Sequence, residues 1–307
     1  MRKSGKEEKS KKTMYKEFKE IYDKIVVDIP YLKSLEELED MWKEIIEINK
    51  CKAQEGDENT IIVKLSQLYI TEYCYLAMAV GEDGKYPQLQ LILKHILINI
   101  GNTSFCVYKL AFDGFDYQAE ILLRNLFELC MMLLNVVLDK EKMQELYDSA
   151  KEDNEKEVWN KFFRAYKMKD TVVSYEEKLG GNISKRWQKD TYSELSSYVH
   201  NDFFKLFMYS YTQVNDDNDR MELNLCGSNA TRTEKILGEL DNILWYTGMV
   251  FFKILGDEDI ELSNEIICMS GKEVKEEDKE FWNIGFMIEL LSRNIFAKIK
   301  EKEDTDS

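Results

Sequence analysis

The sequence predicts an all-α fold, a multi-helix bundle of about eight to ten helices with at most one short β element. Three observations carry this. Proline occurs only twice, at Pro30 and Pro87, and glycine 14 times in 307 residues; both residues punctuate turns and strand ends, so their scarcity favours long helices. Apolar residues recur at three-to-four spacing over long stretches, whereas period-two alternation is confined to "MELNL". Hydrophobic residues make up 44% and charged residues 33%, the balance of a chain with a substantial core.

Taken in order, residues 1–13 form a basic tail expected to be disordered. Tyr15, Phe18, Tyr22 and Ile25 mark an amphipathic helix ending before Pro30. Ser34 followed by Glu37 is a capping box that opens a second helix. After the polar loop "KAQEGDEN", a long helix runs from about Thr60 to Val80, and "GEDGKYP" breaks it. A further helix spans Gln88 to about Phe112, then "DGFD", then the helix carrying Arg124. Residues 139–190 read as shorter helices, with Trp159, Phe162, Phe163 and Tyr166 on one stripe and a break at Gly180–Gly181. The next helix, carrying His200, is expected from Thr191 to Gln213. "VNDDNDRMELNLCGSNAT" is irregular; its "MELNL" suits a strand, but one strand makes no sheet. Thr233 to Leu255 is helical, and Phe281, Ile284, Ile288, Leu291 and Ile295 mark a final helix. Residues 301–307 form an acidic tail expected to be disordered. These elements make one domain over 14–300, with the motif-bearing part at 88–255.

Charge and cysteine usage narrow the function classes. Net charge is −16, and the first twelve residues carry six positive and two negative charges, so the remainder stands at −20. Nucleic-acid affinity comes largely from neutralising phosphates, so such a body is a poor general polyanion binder, and any nucleic-acid contact needs a local basic cleft. The six cysteines are scattered without a CxxC pair. "EYCYLAM" and "FELCMML" place them as small buried hydrophobes, a reduced, intracellular usage that points to the cytoplasm. No apolar run follows the basic N-terminus, so no signal peptide is expected. The most apolar run, "ILLRNLFELCMMLLNVVL" at 121–138, contains Arg124 and Glu128. Each costs ~3 kcal/mol near a bilayer centre, so this is a buried helix and no membrane partner is expected.

Phosphate loops, dinucleotide fingerprints, HExxH, paired-cysteine zinc spacing, EF-hand loops and GxSxG elbows are all missing. No metal or other cofactor is therefore expected, and two histidines leave few players for chemistry. Arg124 and Glu128 lie four apart on one helix face, with Glu120 a turn before and Asn135 two turns beyond Glu128. The rest of that helix is apolar almost all round, which puts the pair inside the protein or at a cleft wall. Ser193, Ser196, Ser197 and His200 share a face at helical spacing, flanked by Tyr192 and Tyr198, and Asn201 and Asp202 follow. His200 titrates near neutral pH and suits acid–base work. A satisfied internal ion pair and a core histidine explain the same residues, and both readings stay open. His95, in "LILKHILINI", reads as a core histidine.

A resemblance adds to this. "YQAEILLRNLFELCMML" looks like an A-x-x-LLR-x-L-x-E motif and "YSELSSYVHND" like a Y-x-x-LS-x-x-VH motif. In that order, over residues 88–255, the pair resembles a bacterial family of all-helical proteins without assigned activity. More remotely, it resembles the HEPN superfamily, many of whose members are metal-independent ribonucleases in toxin–antitoxin and phage-defence systems. HEPN nucleases carry arginine, a polar residue and histidine within one helix. Here Cys130 stands at the histidine position and His200 lies on another helix. The resemblance carries over to Arg124, Asn125, Glu128 and His200, and implies His200, Arg124 and Glu128 as catalytic residues with Asn125 as a binding candidate; the helix face around His200 adds Ser196, Ser197, Tyr198, Asn201 and Asp202 as binding candidates. It implies RNA as substrate; the alternative is a non-catalytic interaction module with a structural Arg–Glu–His network, bound to a partner protein. A homodimer is compatible with either.

Overall fold

The structure, a computed structural model, describes residues 61–80, 87–152, 155–179, 183–199, 211–213, 221–223 and 232–256, with isolated positions between 16 and 44. Eight helices are described: α1 (Ile61–Ala79), α2 (Pro87–Phe112), α3 (Asp116–Leu138), α4 (Lys140–Glu152), α5 (Glu155–Phe162), α6 (Ala165–Lys178), α7 (Ile183–Val199) and α8 (Thr233–Leu255). The all-α expectation holds. In the N-terminal part, the capping box closes reciprocally: the Ser34 N–H donates to Glu37 Oε2 at 2.7 Å and the Glu37 N–H to Ser34 Oγ at 3.2 Å. The final apolar stripe and both tails lie outside the described residues.

α3 is the centre of the bundle, packed against α2, α8, α7 and α6. Leu123, Leu126, Phe127, Cys130, Leu133, Leu134 and Val137 are all buried there. The turn that launches it uses Gly114 at φ 74°, the left-handed conformation that glycine adopts without steric cost. Gly114 N–H donates to the Ala111 carbonyl and Phe115 N–H to that of Leu110, the Schellman pattern that satisfies the last carbonyls of α2. α1 lies antiparallel to α2. Gln67 Nε2 donates to the Tyr108 hydroxyl at 2.8 Å, and a Cβ on Gly101 would sit 3.1 Å from Cys74 Sγ. α8 is pinned to both: Thr233 Oγ1 donates to the Ala111 carbonyl and the Tyr73 hydroxyl to that of Leu244. α3 holds α6 through buried Asn135, whose Nδ2 donates to the Met168 carbonyl at 2.8 Å.

Several expectations need correction. Residues 211–213, expected at the end of the His200 helix, form β1 (Tyr211–Gln213), which pairs antiparallel with β2 (Met221–Leu223) in the register Tyr211↔Leu223. The aromatic and β-branched pair Tyr211–Thr212 suits a strand and supplies the partner that "MELNL" alone lacked. The aromatic stripe at 159–166 is divided between α5 and α6, leaving Trp159 and Tyr166 exposed and Phe163 buried. His95 is exposed rather than in the core, because the buried side of α2 is set by Leu93, Ile96, Leu97 and Ile100. Cys74 and Cys106 are exposed too, and only Cys130 of the described cysteines is buried. Two helical stretches, Gln90–Phe112 and Asp116–Leu138, are long and apolar enough to cross a membrane by length and composition. In α3 this apolarity serves the bundle, where buried Asp116, Glu120 and Asn135 accompany it.

Candidate functional site

The predicted pair forms. Arg124 Nη1 lies 2.6 Å from Glu128 Oε1, with side chains 12% and 33% exposed, as four-residue spacing on a helix dictates. The contact is a single short one, from Nη1 to one carboxylate oxygen. This is a charge pair rather than a fork-to-carboxylate bond. Arg124 Nε donates to Ser196 Oγ on α7 at 3.1 Å, and the guanidinium carbon sits 3.8 Å from the Tyr192 ring centroid. α7 thus holds the arginine from two sides, one polar and one aromatic.

The other expected residues distribute unevenly. Of the serine face, only Ser196 reaches Arg124. Ser193 is exposed, and the Ser197 hydroxyl donates back to the Glu194 carbonyl at 2.6 Å. The buried side of α7 is instead Gln188, Leu195 and Tyr198. Tyr198 is a packing residue: its ring stands edge-on to Tyr117, and its carbonyl accepts from the Tyr117 hydroxyl at 2.8 Å. Asn125 is exposed on α3. His200, Asn201 and Asp202 lie outside the described residues. Cys130 is fully buried, and burial pushes its thiol up to about 12 despite a Thr247 hydrogen bond, so it is no nucleophile at neutral pH.

Sequence reasoning missed the lysines around Tyr192. Lys169 Nζ sits 4.2 Å from the same ring centroid. Burial lowers its pKa; Asp170 opposes this, while Arg124 and Lys189 push it down further. Three cations therefore gather where α3, α6 and α7 meet. No single helix carries the pattern, and only tertiary packing brings it together. On the α8 side of α3, Lys235 lies 3.3 Å from both Glu194 and Glu239. Burial would lower that lysine, but Glu239, Glu120 and Glu194 outweigh it and hold it above its ordinary value. Glu120, fully buried one turn before Arg124, thus acts on Lys235. Among the described residues no cluster of three or more His, Cys, Asp or Glu side chains suits a metal ion.

The class defined by these features is an all-α bundle with a cation cluster at the junction of three helices. Neither the family models, the curated proteins nor the solved structures give a match to this chain.

Proposed function

We propose that the protein is an RNA-acting helical effector, in which Arg124 receives a backbone phosphate and His200 moves the proton. The carrying observation is the setting of Arg124: the guanidinium is fixed on Tyr192 and by Ser196, with the cation of Lys169 over the same ring. A phosphate oxygen is an acceptor of the right charge, and arginine keeps its charge throughout. Lys169 and Lys189 add positive potential beside it, the local basic region that an acidic chain needs for polyanion contact. Glu128 holds the guanidinium in place. In cleavage, His200 takes the proton of the 2′-hydroxyl or supplies one to the leaving oxygen, and Arg124 stabilises the charge that develops on phosphorus-bound oxygen.

A second reading has its own observation. Arg124 is only 12% exposed and already ties α3 to α7, which suits a non-catalytic module whose arginine fixes helix register. Cleavage of a single-stranded RNA by wild type and His200→Ala, with a metal chelator present throughout, separates the two. The catalytic reading expects cleavage that survives the chelator and falls about 10²–10⁴-fold in His200→Ala at unchanged melting temperature. Wild-type protein inert toward RNA, beside a destabilised His200→Ala, assigns the residues to structure.

A further inference from the structure

A cleft of about 330 Å³ opens between α6 and α7, lined by Lys169, Asp170, Ser174, Lys185, Gln188 and Lys189 among others. Its size is that of a small-molecule site. Its rim and its floor differ chemically. At the rim stand three lysines, one of which, Lys185, lies 3.9 Å from Glu177. With Asp170 as the other lining acid, the cleft nets one positive charge, in a chain whose total is −16.

The floor carries the second observation. Gln188 is 1% exposed, and its Nε2 donates to the Tyr246 hydroxyl on α8 at 2.9 Å. Tyr246 also hydrogen-bonds the Glu176 carboxyl. A hydroxyl has one proton to give, and giving it to the carboxyl leaves its oxygen to accept from an amide N–H. That fixes the amide orientation and leaves Gln188 Oε1 outward from Tyr246. Oε1 is buried without a partner, as is Glu176 Oε2. A buried acceptor left unmet costs free energy of the order of a hydrogen bond, so it marks a place where a donor belongs.

We propose that the α6–α7 cleft binds a small phosphate monoester that also carries a hydrogen-bond donor, the chemistry shared by nucleoside monophosphates and sugar phosphates. The phosphate sits at the rim on Lys169 and Lys189, and a hydroxyl or amino group of the ester donates to Gln188 Oε1 below. Lys169 is the pivotal cation, because it is the half-buried one and stands on Tyr192 beside Arg124. An anion there relieves the mutual repulsion of Arg124, Lys169 and Lys189. This inference is independent of cleavage at Arg124 and His200, since it requires binding and no reaction.

The test is calorimetric titration of the full chain at low ionic strength with adenosine monophosphate, glucose 6-phosphate and inorganic phosphate. Both esters are expected to bind more tightly than inorganic phosphate. Lys169→Ala and Lys189→Ala each weaken the esters about tenfold, equal to 1.4 kcal/mol. Gln188→Met should abolish the advantage of the esters over inorganic phosphate while leaving phosphate binding in place. Gln188 also bonds Tyr246, so its variant is read together with Lys189→Ala, whose side chain is exposed and whose loss spares the fold. Binding by adenosine monophosphate alone supports the site and assigns it to nucleotides. The proposal is overturned by absence of binding for all three probes, by equal affinity for all three, or by binding indifferent to both lysine changes.

Discussion

Asp241 is the sharpest test of how this bundle carries its internal charge. It lies on α8, 2% exposed, with Oδ1 2.6 Å from Ser66 Oγ on α1. Ser66 Oγ also lies 3.1 Å from the Ile62 carbonyl. Serine has one proton, so an ionised Asp241 takes it from a bond that only supplements the Ser66 N–H, which the Ile62 carbonyl accepts within α1. A neutral Asp241 donates to Ser66, and Ser66 then donates to Ile62, which satisfies all three groups. Burial pushes the carboxyl from 3.8 up to about 8, against the opposing pull of the Ser66 bond. The folded chain therefore keeps a proton that the unfolded chain has released. This stability is full below the unfolded pKa near 3.8 and is lost as pH rises through about 8. Asp241→Asn supplies a permanently neutral donor. Relative to wild type, the variant should gain roughly 2 kcal/mol between about pH 6 and pH 8, at 1.36 kcal/mol per unit of pKa difference. Asp116, which burial raises to about 6 against the opposing Arg232, titrates in both proteins and cancels from the difference. Urea unfolding followed by far-ultraviolet circular dichroism measures it. Parallel pH profiles for wild type and Asp241→Asn would refute the neutral carboxyl.

Two further outcomes follow from the packing. Arg124→Ala should cost about 1–3 kcal/mol, the sum of a hydrogen bond to Ser196 and the Tyr192 contact. Glu128 is 33% exposed and can turn to water, so the 3–5 kcal/mol of a sealed pair is not expected; a denaturant midpoint demanding that larger loss would show Glu128 to be trapped. Gly238→Ala should stabilise by ~0.5–1 kcal/mol, since a Cβ there meets nothing within 4 Å in the interior of α8. A lowered melting temperature for this variant would contradict that open space.

Much of the fold was legible because local signals and tertiary packing agree. α1, α2 and α8 follow uninterrupted three-to-four periodicity, with observed bounds within a residue of those expected, and α3 ends with its apolar run but begins five residues before it, at Asp116. The Arg124–Glu128 pair was legible for the same reason, being a spacing on one helix. What failed was whatever depends on which side of a helix meets its neighbour. His95 sits in an apolar stretch but falls on the outward side, because an aliphatic helix at the edge of a bundle still has a face to spare; Cys74 is exposed at the margin of the α1–α2 contact, its Sγ beside Gly101. The strand at 211–213 was missed because pairing is non-local. The Tyr192 cluster was illegible because its members, Arg124, Lys169 and Lys189, come from three helices.

The two sides of α3 also explain why an anion site belongs at one and not the other. Glu120 and Arg124 are one turn apart, yet the lysines that they face shift in opposite senses. Lys235 is held above its ordinary value because three carboxylates outweigh its burial. Lys169 is held below, because burial and the cations Arg124 and Lys189 outweigh Asp170. For Lys235 the direction reports the three carboxylates around it; for Lys169 burial is the largest cause, and the two cations act in the same sense. At α8 the protein has already supplied the anions, and a phosphate would meet three glutamates. At α6 and α7 the cations exceed the acids beside them, and buried Gln188 Oε1 lacks a partner. A chain with 58 acidic residues against 42 basic ones has no general shortage of negative charge. Leaving this junction short of it therefore favours a ligand that brings its own anion.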